Sequence, residues 1–151
     1  MDLTKHPPRS PWETLGGVYM LPRSIDKMRG SLAGTVGDYR SHVGMSPMVF
    51  TLFGTDATGF EQIVRAHASD QAVLSALASI HDPSAGEIAA CNLAMSGWPD
   101  GDTQGADWLH ESQWIGLRGR TDVVTGFDLM DLDEGRVVPV GGRPPSASAT
   151  S

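Results

Sequence analysis

Arg23, Asp26, Lys27 and Arg29 crowd one short segment of the chain. If that segment is helical, separations of three and four residues bring them onto one face, so that a single carboxylate meets several cations. Such a group can bind an anion, or hold a carboxylate ionised as a base, because neighbouring positive charge favours the charged form. The same spacing also suits a solvated helix face laced with weak surface ion pairs.

Other reactive residues carry weaker patterns. The histidines at 6, 42, 67, 81 and 110 include no His-x-x-x-His and no His-Glu-x-x-His, the spacings that place two imidazoles on one helix face. A metal site could still be built from separate helices through His67, His81 and His110. Asp128, Asp131, Asp133 and Glu134 form an acidic run, but Gly135 falls fifth from Asp131, whereas a calcium loop needs glycine at its sixth position. A solvated helix exit is the expectation there. Gly16-Gly17 and Gly141-Gly142 lack the context of a nucleotide cradle, and Ser31, Ser41 and Ser46 sit in no nucleophile elbow. Cys91, the single cysteine, excludes an internal disulfide and a thiolate zinc cluster. Its place on a helical apolar stripe favours an inert core thiol.

The elements that must position these residues are helical. Pro22 opens a first helix to about Ala33, with Leu21, Ile25, Met28 and Leu32 as its apolar stripe. Residues 34–46, holding Asp38, Tyr39, Arg40 and His42, form a loop or short extended pair. Ser46-Pro47 opens a short helix to Phe53, and Asp56 caps a helix through Phe60, Ile63 and Val64. Ser69-Asp70 starts one carrying Val73, Leu77 and Ile80, which Asp82-Pro83 ends. Ser84 and Glu87 spell a capping box ahead of Ile88, Cys91 and Met95. A further helix spans about Gln104 to Ile115 with Trp108, Leu109 and Ile115 inward, and Thr121 caps a last one holding Val123, Val124, Phe127 and Met130. Residues 136–140 read as extended. The proline- and glycine-punctuated leader, residues 1–20, is extended and turn-rich. The predicted fold is mainly α: one domain of six to seven helices over residues 1–142, with a disordered tail over 143–151.

Composition bounds the partners. The chain has 151 residues, enough for one core. A net charge of −7 and a pI near 5.0 argue against a nucleic-acid surface. Neither an apolar signal segment nor a membrane-length apolar run is present, so no membrane partner is expected and a reducing cytoplasm fits. Charged residues make up only 19% of the chain against a usual ~25%, while glycine, at 18 residues, is in excess.

Asp2-Leu-Thr-Lys, Pro8-Arg-Ser-Pro11, Leu15-Gly-Gly17, Leu21-Pro-Arg23, Asp26-Lys27, Arg29, Leu32-Ala-Gly34, Gly37-Asp-Tyr39, Phe127-Asp-Leu-Met-Asp-Leu-Asp133 and Gly141-Gly142 follow one another along the chain. In that order they resemble a small bacterial domain-of-unknown-function family over about residues 2–142. The resemblance implies a mostly helical single domain, with Arg9, Arg23, Asp26, Lys27, Arg29 and Tyr39 gathered in one site. The chain departs from the family where Cys91-Asn92 replaces a Trp-Asn pair and Thr125-Gly126-Phe127-Asp128 replaces Thr-Trp-Phe-Asp. Val43-Gly-Met-Ser46 stands where the family has a Cys-Pro-Leu-Asp-like segment. Deleting a buried aromatic typically costs ~3–5 kcal/mol unless something fills the space, and a ligand could.

The leading expectation is therefore a cofactor-independent enzyme acting on a small organic substrate by proton transfer, of isomerase, dehydratase or cyclase type, in a biosynthetic setting. Asp26 is the expected base, Tyr39 the acid or hydrogen-bond donor, and Arg23 or Arg9 the charge that holds a carboxylate or enolate. Lys27, Arg29, Cys91, Trp98, Trp108, Gly126 and Phe127 would line the pocket. The alternatives are a non-catalytic small-ligand or protein interaction module, and a metal-dependent helical-bundle enzyme.

Overall fold

The structure, a computed structural model, describes residues 1–116, 120 and 122–148. Among them are seven α-helices and one two-stranded antiparallel hairpin. The hairpin pairs β1 (Thr14–Leu15) with β2 (Val18–Tyr19). Between them Gly16 and Gly17 both take positive φ, at 60° and 79°, as the twist of a tight two-residue hairpin demands. Met20 then adopts φ 68°, a left-handed conformation costly for a side chain with a Cβ. That residue is buried, and it turns the chain directly into α1.

Helix α1 (Leu21–Ala33) is the central strut: every residue from Leu21 to Met28 is buried. Of its charged positions, which spacing alone allows to be a solvated face, Arg23, Asp26 and Lys27 are instead interior, and Arg29 is partly exposed. Around it pack α2 (Ser46–Leu52), α3 (Ala57–Ala66), α4 (Asp70–Ile80) and α5 (Ala85–Gly97), followed by α6 (Thr103–Gly116) and α7 (Gly126–Asp133). The caps read from sequence at Asp56, Ser69 and Ser84 are formed, the last as a complete capping box with Glu87. These caps involve only neighbours, which is why spacing finds them. Phe50 and Phe60 stack near the middle of the main core with ring centroids 4.6 Å apart. A smaller cluster of Leu109, Val123, Leu129 and Val138 lies under the C-terminal part.

Three expectations are corrected. The last helix begins at Gly126, capped by the Thr125 hydroxyl accepting from the Asp128 amide; Thr121 lies outside the described residues. Val123 enters the core from the segment before the helix, and Gly126 occupies the first helical turn, where an interior glycine's cost does not apply. Residues 136–140 form no strand. Finally, residues 143–148 are tied down: the Arg143 amide donates to Asp128, the Ser146 amide donates to Ser96 Oγ, and Asn92 Nδ2 donates to the Ala147 carbonyl at 3.1 Å. Asn92, Ser96 and Asp128 are all completely buried, so this segment supplies the partner of Ser96 and adds to those that Asn92 and Asp128 already have.

Phe60 is fully buried, and Phe60→Ala is expected to lower unfolding free energy by about 3–5 kcal/mol in urea titration. A loss under about 1 kcal/mol would place the core elsewhere.

Candidate functional site

Asp26 is 1% exposed, and its carboxylate accepts three hydrogen bonds from Arg9: from the backbone amide at 2.9 Å, Nε at 3.0 Å and Nη2 at 3.0 Å. The remaining terminal nitrogen of Arg9 reaches Asp70 Oδ2 at 2.7 Å, and Arg29 reaches Asp70 Oδ1 at 2.9 Å. Asp70 sits in the first turn of α4, where its charge also suits the helix dipole. Hydrogen bonding from Arg9 holds its carboxyl below the usual range. Opposed charges thus run Asp26, Arg9, Asp70, Arg29, clamping the leader between α1 and α4. Asp26, expected as a base, is saturated by this clamp.

A second arrangement shares α1. Arg23 forms a two-pronged pair with Glu134, Nη1 to Oε1 at 2.8 Å and Nη2 to Oε2 at 2.6 Å, both side chains 5% exposed. Arg23 also donates to the Arg9 carbonyl, which couples the two arrangements. Arg136 joins Glu134 and Asp131, and Asp131 further accepts from Ser10 and Arg143. Burial raises the Asp131 carboxyl pKa, while Ser10 and the two arginines oppose the rise. Hence the acidic run is not a solvated exit: Asp128, Asp131 and Glu134, three residues apart, project inward and only Asp133 remains outside. Arg136 and Arg143, the cations that follow the run, are the signal by which sequence could have found this.

Tyr39 closes the cluster from the loop over residues 34–45. Its ring lies under the Arg23 guanidinium, 5.7 Å from the centroid. Burial, and then the nearby Glu134 charge, push its phenol up to about 12. Lys27 is the exception in this company. It is 7% exposed, yet among the described residues its ammonium has no hydrogen-bond or ion-pair partner. Burial first, then the Arg23 guanidinium, push its pKa down to about 8, with Glu134 acting against them. Arg9, Arg23, Asp26, Lys27, Arg29 and Tyr39 are therefore brought together.

The apolar wall expected around them lies elsewhere. An ideal Cβ at Gly126 would sit 2.7 Å from Trp98 Cε3, and one at Gly105 would sit 2.6 Å from Trp98 Cζ2. The Trp98 indole is wedged between α6 and α7 at two residues that lack side chains, and its Nε1 donates to Asp102 at 3.0 Å. The space expected at Gly126 for a ligand is filled by this indole. Phe127 is a core residue in edge-on contact with Trp12 and Tyr19. Trp108, expected inward, is 53% exposed. Cys91 is half-buried beside Met48 and Leu52, with burial raising its thiol pKa.

A family model described as Domain of unknown function (DUF5069) matches residues 5–136. The chain belongs to that family. The DUF5069 match takes in both charged arrangements except Arg143, and it takes in the Trp98 wedge; the docked segment 143–148 falls beyond it. Comparison with curated proteins finds no match. Within this DUF5069 domain, His67 Nδ1 contacts the Ile63 carbonyl and His81 pairs with Glu87. Among the described residues no group of three or more His, Cys, Asp or Glu side chains is placed to hold a metal. Among the described residues no helix is long and apolar enough to cross a membrane.

Two measurements probe this geometry. Gly126→Ala is expected to cost about 1–3 kcal/mol, and a Trp98→Ala background should remove most of that cost, giving a coupling above about 1 kcal/mol in a double-mutant cycle; additive losses would contradict the wedge. For Lys27, the folded amine titrates near 8 and the unfolded one near 10.5. Between those values the unfolded chain binds more protons, so stability rises with pH. Measured against Lys27→Met, which cancels the Tyr39 contribution, the wild type should gain roughly 3 kcal/mol from pH 8 to 10.5. A flat difference would mean that the amine is paired.

Proposed function

We propose that this domain is a cofactor-independent enzyme that acts on a small organic molecule by proton transfer, of isomerase, dehydratase or cyclase type. Its working group is the Lys27 amine, with Tyr39 as hydrogen-bond donor and Arg23 as the fixed positive charge beside developing anion. One observation carries this reading. Among the described residues, Arg23, Asp26, Asp128 and Asp131 are buried with partners, and Lys27 is buried without one. An unpaired charge is costly to bury, a neutral amine less so, and with its pKa pushed down to about 8 this amine has a far larger neutral fraction near physiological pH than an ordinary lysine, the neutral form being the one that takes up a proton. The Asp26 role passes to Lys27 because the Asp26 carboxylate is occupied by Arg9.

Among the described residues, no backbone hydrogen bond joins residues 36–44 to another element, so displacing this loop breaks little of the scaffold.

One observation favours a second reading, a non-catalytic small-ligand module. A cleft of about 1040 Å³ opens between α5 and α6, lined by Leu93, Ala94, Val124 and Pro145 together with Asp100 and Asp107, and none of the charged cluster faces it.

Incubation in D2O with a panel of enolisable ketones, keto acids and enones, followed by proton NMR, separates the two. The enzyme reading expects deuterium uptake next to the carbonyl of at least one compound, about 100-fold or more above buffer, and its loss in Lys27→Met. Compounds that bind without exchanging would favour the module.

A further inference from the structure

Lys27 carries a more specific chemistry than proton uptake. The residue is more than nine-tenths buried, its amine lacks a partner among the described residues, and it feels the charges of the Arg23 guanidinium and the Glu134 carboxylate. Tyr39 lies against both of these. A lysine desolvated beside another cation is a nucleophile as well as a base. We infer that Lys27 is an attachment point for carbonyl compounds, forming an imine with an aldehyde or ketone; this rests on the reading of Lys27 as the working group.

The step balances without an oxidant or reductant. The amine nitrogen bonds to the carbonyl carbon, the carbonyl oxygen takes both amine protons and leaves as water, and a carbon–nitrogen double bond remains. Protonated, that double bond withdraws electrons from the adjacent carbon, whose proton then departs to water more readily than in the free carbonyl compound. The Tyr39 phenol, kept protonated by its surroundings, is the neighbouring donor for the departing oxygen.

The chain contains two lysines, Lys5 and Lys27, and the Lys5 side chain is 76% exposed. Each molecule therefore carries its own control. Full-length wild-type protein at pH 7.5 is treated with acetoacetate, and separately with propanal, in the presence of cyanoborohydride, and the adduct is located by peptide mass mapping. A urea-unfolded sample, in which both amines react alike, calibrates detection. The expected result is labelling of Lys27 in the folded protein at least about tenfold above Lys5, because an ordinary lysine is almost wholly protonated at that pH. Labelling of Lys5 that equals or exceeds that of Lys27 overturns the imine. If Lys27-dependent deuterium exchange persists without an adduct, the imine fails and the proton-transfer reading stands; if both are absent, both fail.

Discussion

The carboxylate of Asp26, taken out of water in the middle of α1, sets the terms on which the rest of the domain is arranged. A buried carboxylate is tolerated only when its lone pairs are met and its charge is balanced. Arg9 does both from the leader, so the leader must lie along α1. Arg9 then has donors to spare, which bring Asp70 and with it the start of α4. The Arg9 carbonyl takes a bond from Arg23, which needs Glu134 and hence the end of α7. One desolvated charge thus commits segments from across the sequence to a common centre. The low overall charge content acquires a different meaning in this light: of the few charges the chain carries, several are interior.

Buried ion pairs contribute little net stability compared with well-packed apolar residues, because desolvation opposes the attraction. Their effect here is geometric. Two-pronged arginine pairs fix orientation as well as distance, and they leave Arg23 held rigidly beside Tyr39 and Lys27. The scaffold around Lys27 is therefore stiff in its charged parts, and the loop that carries Tyr39 makes no backbone hydrogen bond to another element among the described residues. That combination suits a site whose fixed groups need not reorganise when a ligand arrives.

The features legible in sequence were those whose causes are local. The Ser84–Glu87 capping box, the Asp56 and Ser69 caps and the apolar stripe of α1 each depend on residues within a turn of one another, and each is present. The fate of the α1 charges was not legible, since Glu134 lies 111 residues from Arg23 and Asp70 61 residues from Arg9. Periodicity is silent on partners at that range. Gly126 shows the same limit from the other side. A missing side chain announces space, but only the fold reveals that Trp98, from a loop preceding another helix, occupies it. Thr121 and Thr125 are equally good caps by type, and the choice fell to Thr125 because Val123 is drawn into the core ahead of the helix.

The long reach of the Arg23–Glu134 pair also bears on how the domain is made. Synthesis delivers Arg23 more than a hundred residues before its partner, so for most of elongation α1 holds a guanidinium that has nowhere satisfactory to be buried. Contacts of such sequence separation are slow to find because chain entropy must be lost first. The nascent chain can assemble the clamp through Asp70 early, but the central helix stays partly solvated until α7 emerges. Completion of the fold is thereby tied to the arrival of one carboxylate rather than to gradual accretion of apolar surface.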